Sequence, residues 1–322
     1  MDKGNKSELR KLINEQYKNV AGIIVQQDHN IVYEDYFDGS SEGATVHVAS
    51  VAKSILSALI GIAVDKGAIQ SINQNFLDYF PGYTIKRRES TIQKITIKHL
   101  LTMTAPYKYK YEPYTRVYSS EDWTKAVLDL SGGTREIGNF QYTTVGIQIL
   151  SGLLANATGQ SVLGFASENL FEPLGINTPR AVQIQNRQAH FDFLKGKHIS
   201  GWVMDPQGVN TGGWGLALTT RDMNKIGQLY LDQGVWCGSQ IISSKWIKDS
   251  TREHSRWGER PYGYLWWIIP EGGTNGFAAL GDGGNVIYIA PDKKLVVAIS
   301  SRFIPRARDR IEMIRKHIEP AL

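Results

Sequence analysis

The chain has 322 residues, enough for a sizeable core and for two structural units. Its 36 lysines and arginines stand against 31 aspartates and glutamates, but the basic residues are dispersed, so nothing argues for a nucleic-acid groove. Cys237 is the only cysteine, which excludes an internal disulfide and reads as a small hydrophobe, and no apolar run approaches membrane-spanning length.

The N-terminal "MDKGNKSELRKLINEQYKNV" lacks the apolar run of a signal peptide, so a cytoplasmic location is expected. Residues 7–18 read as a helix, and "AGIIVQQDHNIVYEDYFDG" then gives two strands joined through Asp28-His29-Asn30, a hairpin signal. Val46 to Ile69, "VHVASVAKSILSALIGIAVDKGAI", reads as one long buried helix. From about residue 74 to 250 the pattern is mostly helical, with "TIKHLLTM", "EDWTKAVLDL", "TTVGIQILSGLLANATG" and "TTRDMNKIGQLYLDQG" closed by Gly or Pro punctuation.

After residue 260 short apolar runs return, "YGYLWWIIP", "NGFAALG", "NVIYIA" and "KLVVAISS", separated by turn residues. Ile304, Ala307, Ile311, Ile314 and Ile318 then recur at helical spacing among arginines, which predicts an amphipathic helix packed on a sheet. Strands at both ends predict one antiparallel sheet flanked by helices, built from residues 1–73 and 251–322. A helical domain, residues 74–250, is inserted, and a small-molecule site is expected in the cleft between the two.

The long helix carries the chemistry. From Ser50 to Val64 its only polar side chains are Ser50, Lys53, Ser54 and Ser57, which form one narrow stripe on an apolar cylinder. Ser50 opens the helix, where free amides and the positive dipole end favour negative charge. A serine hydroxyl needs a base before it is nucleophilic, and a lysine desolvated by apolar walls shifts toward its neutral, basic form. The bland alternative is an N-cap serine and a lysine that snorkels to the surface. A Ser-x-x-Lys tetrapeptide arises about once by chance in a chain like this, so the pattern alone leaves both readings open.

The order of several blocks resembles the serine β-lactamase and penicillin-binding-protein superfamily, nearest its class C β-lactamase and family VIII carboxylesterase-like branch. "HVASVAKSILSALIGIAVDKGAI" resembles the first motif and "GNFQYTTVGIQILSGLLANATG" the second, while "GGWGLALTTRDMNKIGQLYLDQGVW" and "GDGGNVIYIAPDKKLVVAI" are similar to later blocks. The resemblance implies a β-lactamase-like, transpeptidase-like fold and an acyl-enzyme hydrolase of small ester, amide or β-lactam substrates. It implies Ser50 as nucleophile, Lys53 as proton acceptor, Tyr142 as the phenol that shares the base role, and the amides of Ser50 and Asp282 as the oxyanion hole. A cationic lysine nearby would lower the pKa of that phenol. Thr144, Gly281 and Gly283 are expected beside the substrate.

Two departures bear on substrate. Thr144 stands where many relatives have asparagine, and Ala279-Leu280-Gly281 replaces the Lys-Thr-Gly or His-Thr-Gly of the third motif, removing the cation that would meet a β-lactam carboxylate. Ester or amide hydrolysis therefore ranks first, β-lactamase or D-amino-peptidase activity second, and a non-catalytic penicillin-reactive binder or scaffold is the reading from another class. "GSSEG" matches Gly-x-Ser-x-Gly around Ser41 but lacks the strand and helix that an elbow requires. His254 and His317 read as exposed, the tyrosines of "YKYKYEPYTRVY" as a substrate-contacting wall, and Trp266 and Trp267 as sheet packing. No metal-ligand spacing occurs, so neither metal nor organic cofactor is expected.

Overall fold

The computed structural model describes residues 1–184, 186–196, 199–271 and 274–322. Its centre is an eight-stranded sheet that runs Asn30–Tyr36, Val20–Gln27, Leu295–Ser301, Asn285–Ala290, Thr274–Gly281, Trp267–Glu271, Arg260–Tyr262, Ser255–Trp257 from edge to edge. Every neighbouring pair is antiparallel, and the two termini meet where Val20–Gln27 pairs with Leu295–Ser301. The first hairpin turns through Asp28 and His29, at φ 47° and 65°. Two successive left-handed residues match the right-handed twist of the strands they join.

The inner strands read as continuous apolar runs because both of their faces are covered. Along Leu295–Ser301, Val296 and Ala298 pack into the larger core, whereas Leu295, Val297 and Ile299 pack into a second core on the opposite face. That second core is closed by Leu9 and Ile13 of helix α1, Lys3–Gln16, and by Met313, Ile314 and Ile318 near the C-terminus. The C-terminal helix begins only at Arg310, where Asp309 accepts the N–H groups of Ile311 and Glu312. Ile304 and Ala307, expected on its apolar stripe, precede it in irregular chain that contains Pro305, and Ile304 is exposed.

On the other face lie helix α2, Val51–Asp65, and the helix Thr220–Leu231. The latter falls within the span assigned to the helical insertion, yet it lies on the sheet. A Cβ on its Gly227 would meet side-chain atoms of Val296 and Ile287, and the Thr220 hydroxyl meets that of Ser300 at 2.8 Å. A short ribbon, Thr45–His47 paired with Ala217–Thr219, carries residues 213–216 to the head of α2. Cys237, expected as a small hydrophobe, is instead exposed in a turn at φ 46°. Among the described residues no single helix is long and apolar enough to cross a membrane.

Ile287 is fully buried beneath the helix Thr220–Leu231. Ile287→Ala is expected to cost about 2–5 kcal/mol, through lost transfer energy and a residual cavity, as read from urea unfolding followed by circular dichroism.

Candidate active site

Helix α2 starts at a strained bend. Ala49 sits at φ 50°, a left-handed conformation that a residue with a Cβ adopts only at a cost. Ser50 follows at the N-cap position but makes no side-chain bond to the helix amides. An N-cap serine ordinarily uses its hydroxyl on those amides. Here Oγ lies 2.8 Å from Lys53 Nζ instead. Lys53 does not snorkel, being 1% exposed. Both bland readings of the pair therefore fail. The rest of the polar stripe belongs to the interior: Ser54 donates to the Leu265 carbonyl at 2.6 Å, and Ser57 is fully buried.

The Lys53 amine has three oxygen neighbours: Ser50 Oγ, Thr144 Oγ1 at 3.1 Å and the Gly213 carbonyl at 2.9 Å. Protonated, it donates to all three. Neutral, it keeps two N–H donors for Thr144 and Gly213 and turns its lone pair to the Ser50 hydroxyl. The same geometry serves both states. Burial pushes the amine down from 10.5 to about 7, with the charges of Glu112 and Asp282 opposing a further fall. An unfolded lysine titrates near 10.5, so between about pH 7 and 10.5 the folded chain binds fewer protons, and the penalty for burying Lys53 shrinks as pH rises.

Tyr142 lies beside this pair, with Lys53 Nζ 4.9 Å from its ring centroid and the Trp267 ring stacked on it at 5.7 Å. The expected lowering of its pKa does not occur. Burial raises it, and the interaction with the Ser50 hydroxyl offsets only part of that rise. The phenol is thus a proton donor in the resting site. Trp267 packs in the sheet as expected and also orients this ring, whereas Trp266 is buried against Tyr230 and Phe277.

Sequence reasoning missed Glu112, whose only signal was a lone acid in a tyrosine-rich loop. Its carboxylate accepts the N–H groups of Thr144 and Val145 at 3.1 and 2.9 Å, and Tyr109 meets the Thr143 hydroxyl at 2.6 Å. Together they hold the Tyr-Thr-Thr segment against α2. His47 was missed as well. Its Nε2 accepts the Gly215 N–H at 2.9 Å, and burial lowers its pKa to about 3, so the ring is neutral.

The strand Thr274–Gly281 brings the replaced third motif to the other side of Ser50. A Cβ at Gly281 would strike the Val48 carbonyl oxygen, so only glycine permits this approach. Residues 281–284 form a turn closed by the Gly284 N–H on the Gly281 carbonyl at 3.1 Å. Its three following carbonyls are all held by side chains: Asp282 O by Asn285 at 3.1 Å, Gly283 O by Asn19 at 2.6 Å and Gly284 O by Ser301 at 3.0 Å. Arg310 in turn donates to Asn19 Oδ1 at 2.7 Å. Among the described residues neither the Ser50 N–H nor the Asp282 N–H has an acceptor. Two amides are therefore free to meet a developing oxyanion. Gly283, expected beside the substrate, is buried with its Cα side toward Phe303 and does not line the cleft.

A cleft of about 290 Å³ opens at Ser50, walled by Tyr114, Tyr118, His190, Trp214 and Phe303, with Thr144 at its base. The tyrosine-rich segment therefore contributes a wall through Tyr114 and Tyr118, while Tyr107 is core and Tyr111 points outward. Ser41 lies exposed in a turn with a strand, not a helix, after it. His317 is exposed, but His254 is half-buried, stacked on Tyr264 at 4.2 Å.

An antiparallel sheet covered on both faces, with a serine and a buried lysine at the head of the helix beneath it, defines a class. A family model described as Beta-lactamase matches residues 9–319, and the chain belongs to that family of hydrolases. The 6-aminohexanoate-dimer hydrolase of Paenarthrobacter ureafaciens is 21% identical over 306 residues, covering 87% of this chain and 72% of that protein. Solved structures with this fold include the octameric penicillin-binding protein homologue from Pyrococcus abyssi, with TM-score 0.71 and 20% identity over 98% of this chain and 76% of that one. SurE with D-Leu has TM-score 0.77 and 16% identity over 99% and 75% of the two chains.

Because the Glu112 charge raises the Lys53 pKa, Glu112→Gln should move it below its wild-type value of about 7. NMR titration of ε-carbon-labelled lysine reads this directly, and an unchanged or raised value would remove Glu112 from the electrostatics of the site.

Proposed function

We propose that the chain is a serine hydrolase that acts through an acyl-enzyme on small ester or amide substrates. The observation that carries this reading is the Ser50 hydroxyl, unused by its helix, 2.8 Å from a buried amine whose pKa is about 7. Ser50 Oγ attacks the carbonyl carbon while its proton passes to the Lys53 lone pair. The carbonyl oxygen gains the negative charge between the N–H groups of Ser50 and Asp282. On collapse of this intermediate the carbon–heteroatom bond breaks, and the leaving group takes a proton delivered from Lys53 by way of Tyr142. Water then attacks the acyl carbon and gives a proton to Lys53, the carbon–Oγ bond breaks, and Lys53 passes that proton to Ser50 Oγ as the acid leaves.

The missing third-motif cation weighs against efficient turnover of carboxylated β-lactams, since Ala279 and Leu280 supply no charge at that strand. A relative named for hydrolysis of a 6-aminohexanoate dimer supports a small acyl compound as substrate.

Intact-protein mass spectra after fluorophosphonate treatment should show one adduct that is absent in Ser50→Ala; an adduct persisting in that variant would sink the assignment. Lys53→Ala should lower kcat about 10²–10⁴-fold, whereas Ser41→Ala should leave it unchanged. The amine acts as a base only when neutral, so kcat/KM should be low in acid and rise through about pH 7 to a plateau. A pH–rate profile flat across that range would separate Lys53 from the proton transfer.

A further inference from the structure

The cleft has an unusual charge balance. The Asp282 carboxylate lines it, is exposed, and among the described residues has neither an ion-pair nor a hydrogen-bond partner. Its charge reaches Lys53, Tyr114 and Tyr142. Among the described residues no lysine or arginine lines the cleft, and the two histidines there, His47 and His190, are kept toward the neutral form by burial. Arg302, beside the lining residue Phe303, is paired with Asp38. Among the described residues Lys53 is the one cation close to the reacting serine, and it surrenders its charge in the form that serves as base. The second nearby carboxylate, Glu112, is held by backbone amides and adds charge of the same sign.

Facing Asp282 is a continuous aromatic wall. Tyr114 stacks on Tyr118 at 6.0 Å, Tyr118 meets Trp214 at 5.3 Å, and Trp214 meets His190 at 4.9 Å, all between ring centroids. Aromatic faces beside an unpaired carboxylate suit an ammonium group, which gains from both. A carboxylate ligand would meet a like charge at the turn.

We propose that this cleft selects substrates that carry an ammonium group, held between the Asp282 carboxylate and the wall formed by Tyr114, Tyr118 and Trp214. The reaction these substrates undergo rests on the acyl-enzyme reading above; their recognition does not. Asp282 then has two separable roles: its amide faces the oxyanion, and its side chain sets specificity.

The test pairs binding with turnover in the full chain. Calorimetry with 4-phenylbutylammonium, 4-phenylbutanol and 4-phenylbutyrate measures recognition, and hydrolysis of the 4-aminobutyryl, butyryl and succinyl p-nitroanilides measures selectivity. Each is run on wild type, Asp282→Asn and Ser50→Ala, with thermal melting to confirm folding. The ammonium is expected to bind about tenfold or more tighter than the alcohol, with the carboxylate weakest, and the gap should collapse in Asp282→Asn, which keeps the backbone amide. The aminobutyryl to butyryl ratio of kcat/KM should fall by a similar factor in that variant. Equal binding of all three ligands, a preference for the carboxylate, or an ammonium preference that survives Asp282→Asn overturns the proposal. Ser50-dependent hydrolysis without ammonium preference overturns it alone. Asp282-dependent ammonium binding with no Ser50-dependent hydrolysis supports it and overturns only the acyl-enzyme reading.

Discussion

The interaction on which the site depends is the enclosure of one primary amine. Lys53 can approach its neutral form only because two distant pieces of chain, the segment at Thr144 and the loop at Gly213, close over it against the first turn of α2. That closure is tight enough to dictate sequence. A Cβ at Gly213 would come within 2.6 Å of the Thr144 carbonyl oxygen, so the two covering segments touch only because residue 213 has no side chain. Packing and pKa are thus one property here. Loosening the cover admits water, restores the ordinary basicity of the amine and leaves it a cation at neutral pH.

The opposite side of the site solves a different problem. An oxyanion hole works when its donors are aimed before charge develops, so that no reorganisation accompanies the reaction. In the oxyanion role proposed for it, the 281–284 turn would meet that condition by having its carbonyls occupied at the rear. Asn19 comes from the turn just before the first strand, Asn285 from the next strand of the hairpin and Ser301 from the end of the last. Antiparallel pairing of the two chain termini is what brings these three to one turn. The sheet therefore contributes rigidity rather than chemistry, a division of labour expected of sites built on regular elements.

What was legible in the sequence follows the range of the interactions. The Ser50–Lys53 pair could be read because a helix fixes residues three apart on one face, and the sheet could be read because its strands are short apolar runs between turn residues. The amides of Ser50 and Asp282 were named through family resemblance, while their freedom from internal acceptors needed coordinates. Glu112 and His47 were invisible, since each acts through a backbone amide far along the chain. At Tyr142 the proximity of a cation suggests a lowered phenol pKa, but burial, which sequence does not display, raises it. Periodicity also ran too far at Ile304 and Ala307, where helical spacing persists but Pro305 and the Asp309 cap delay the helix.

Charge links the two halves of the site. Glu112 and Asp282 hold the Lys53 pKa up against desolvation, so the base stands near the middle of its titration at neutral pH. Any charge brought into the cleft must act on the same equilibrium. A bound carboxylate would favour the ammonium form of Lys53, in which the lone pair that receives the serine proton is gone. A bound cation would screen Asp282, lower the lysine pKa and favour the neutral base. By linkage the neutral amine then favours the cationic ligand to the same degree, because the two states exchange one positive charge for another within one low-dielectric cleft. On the acyl-enzyme and ammonium readings proposed above, the aromatic wall, the absent third-motif cation and the Asp282 carboxylate, unpaired among the described residues, act together: they set the sign of charge whose arrival leaves Lys53 a neutral base.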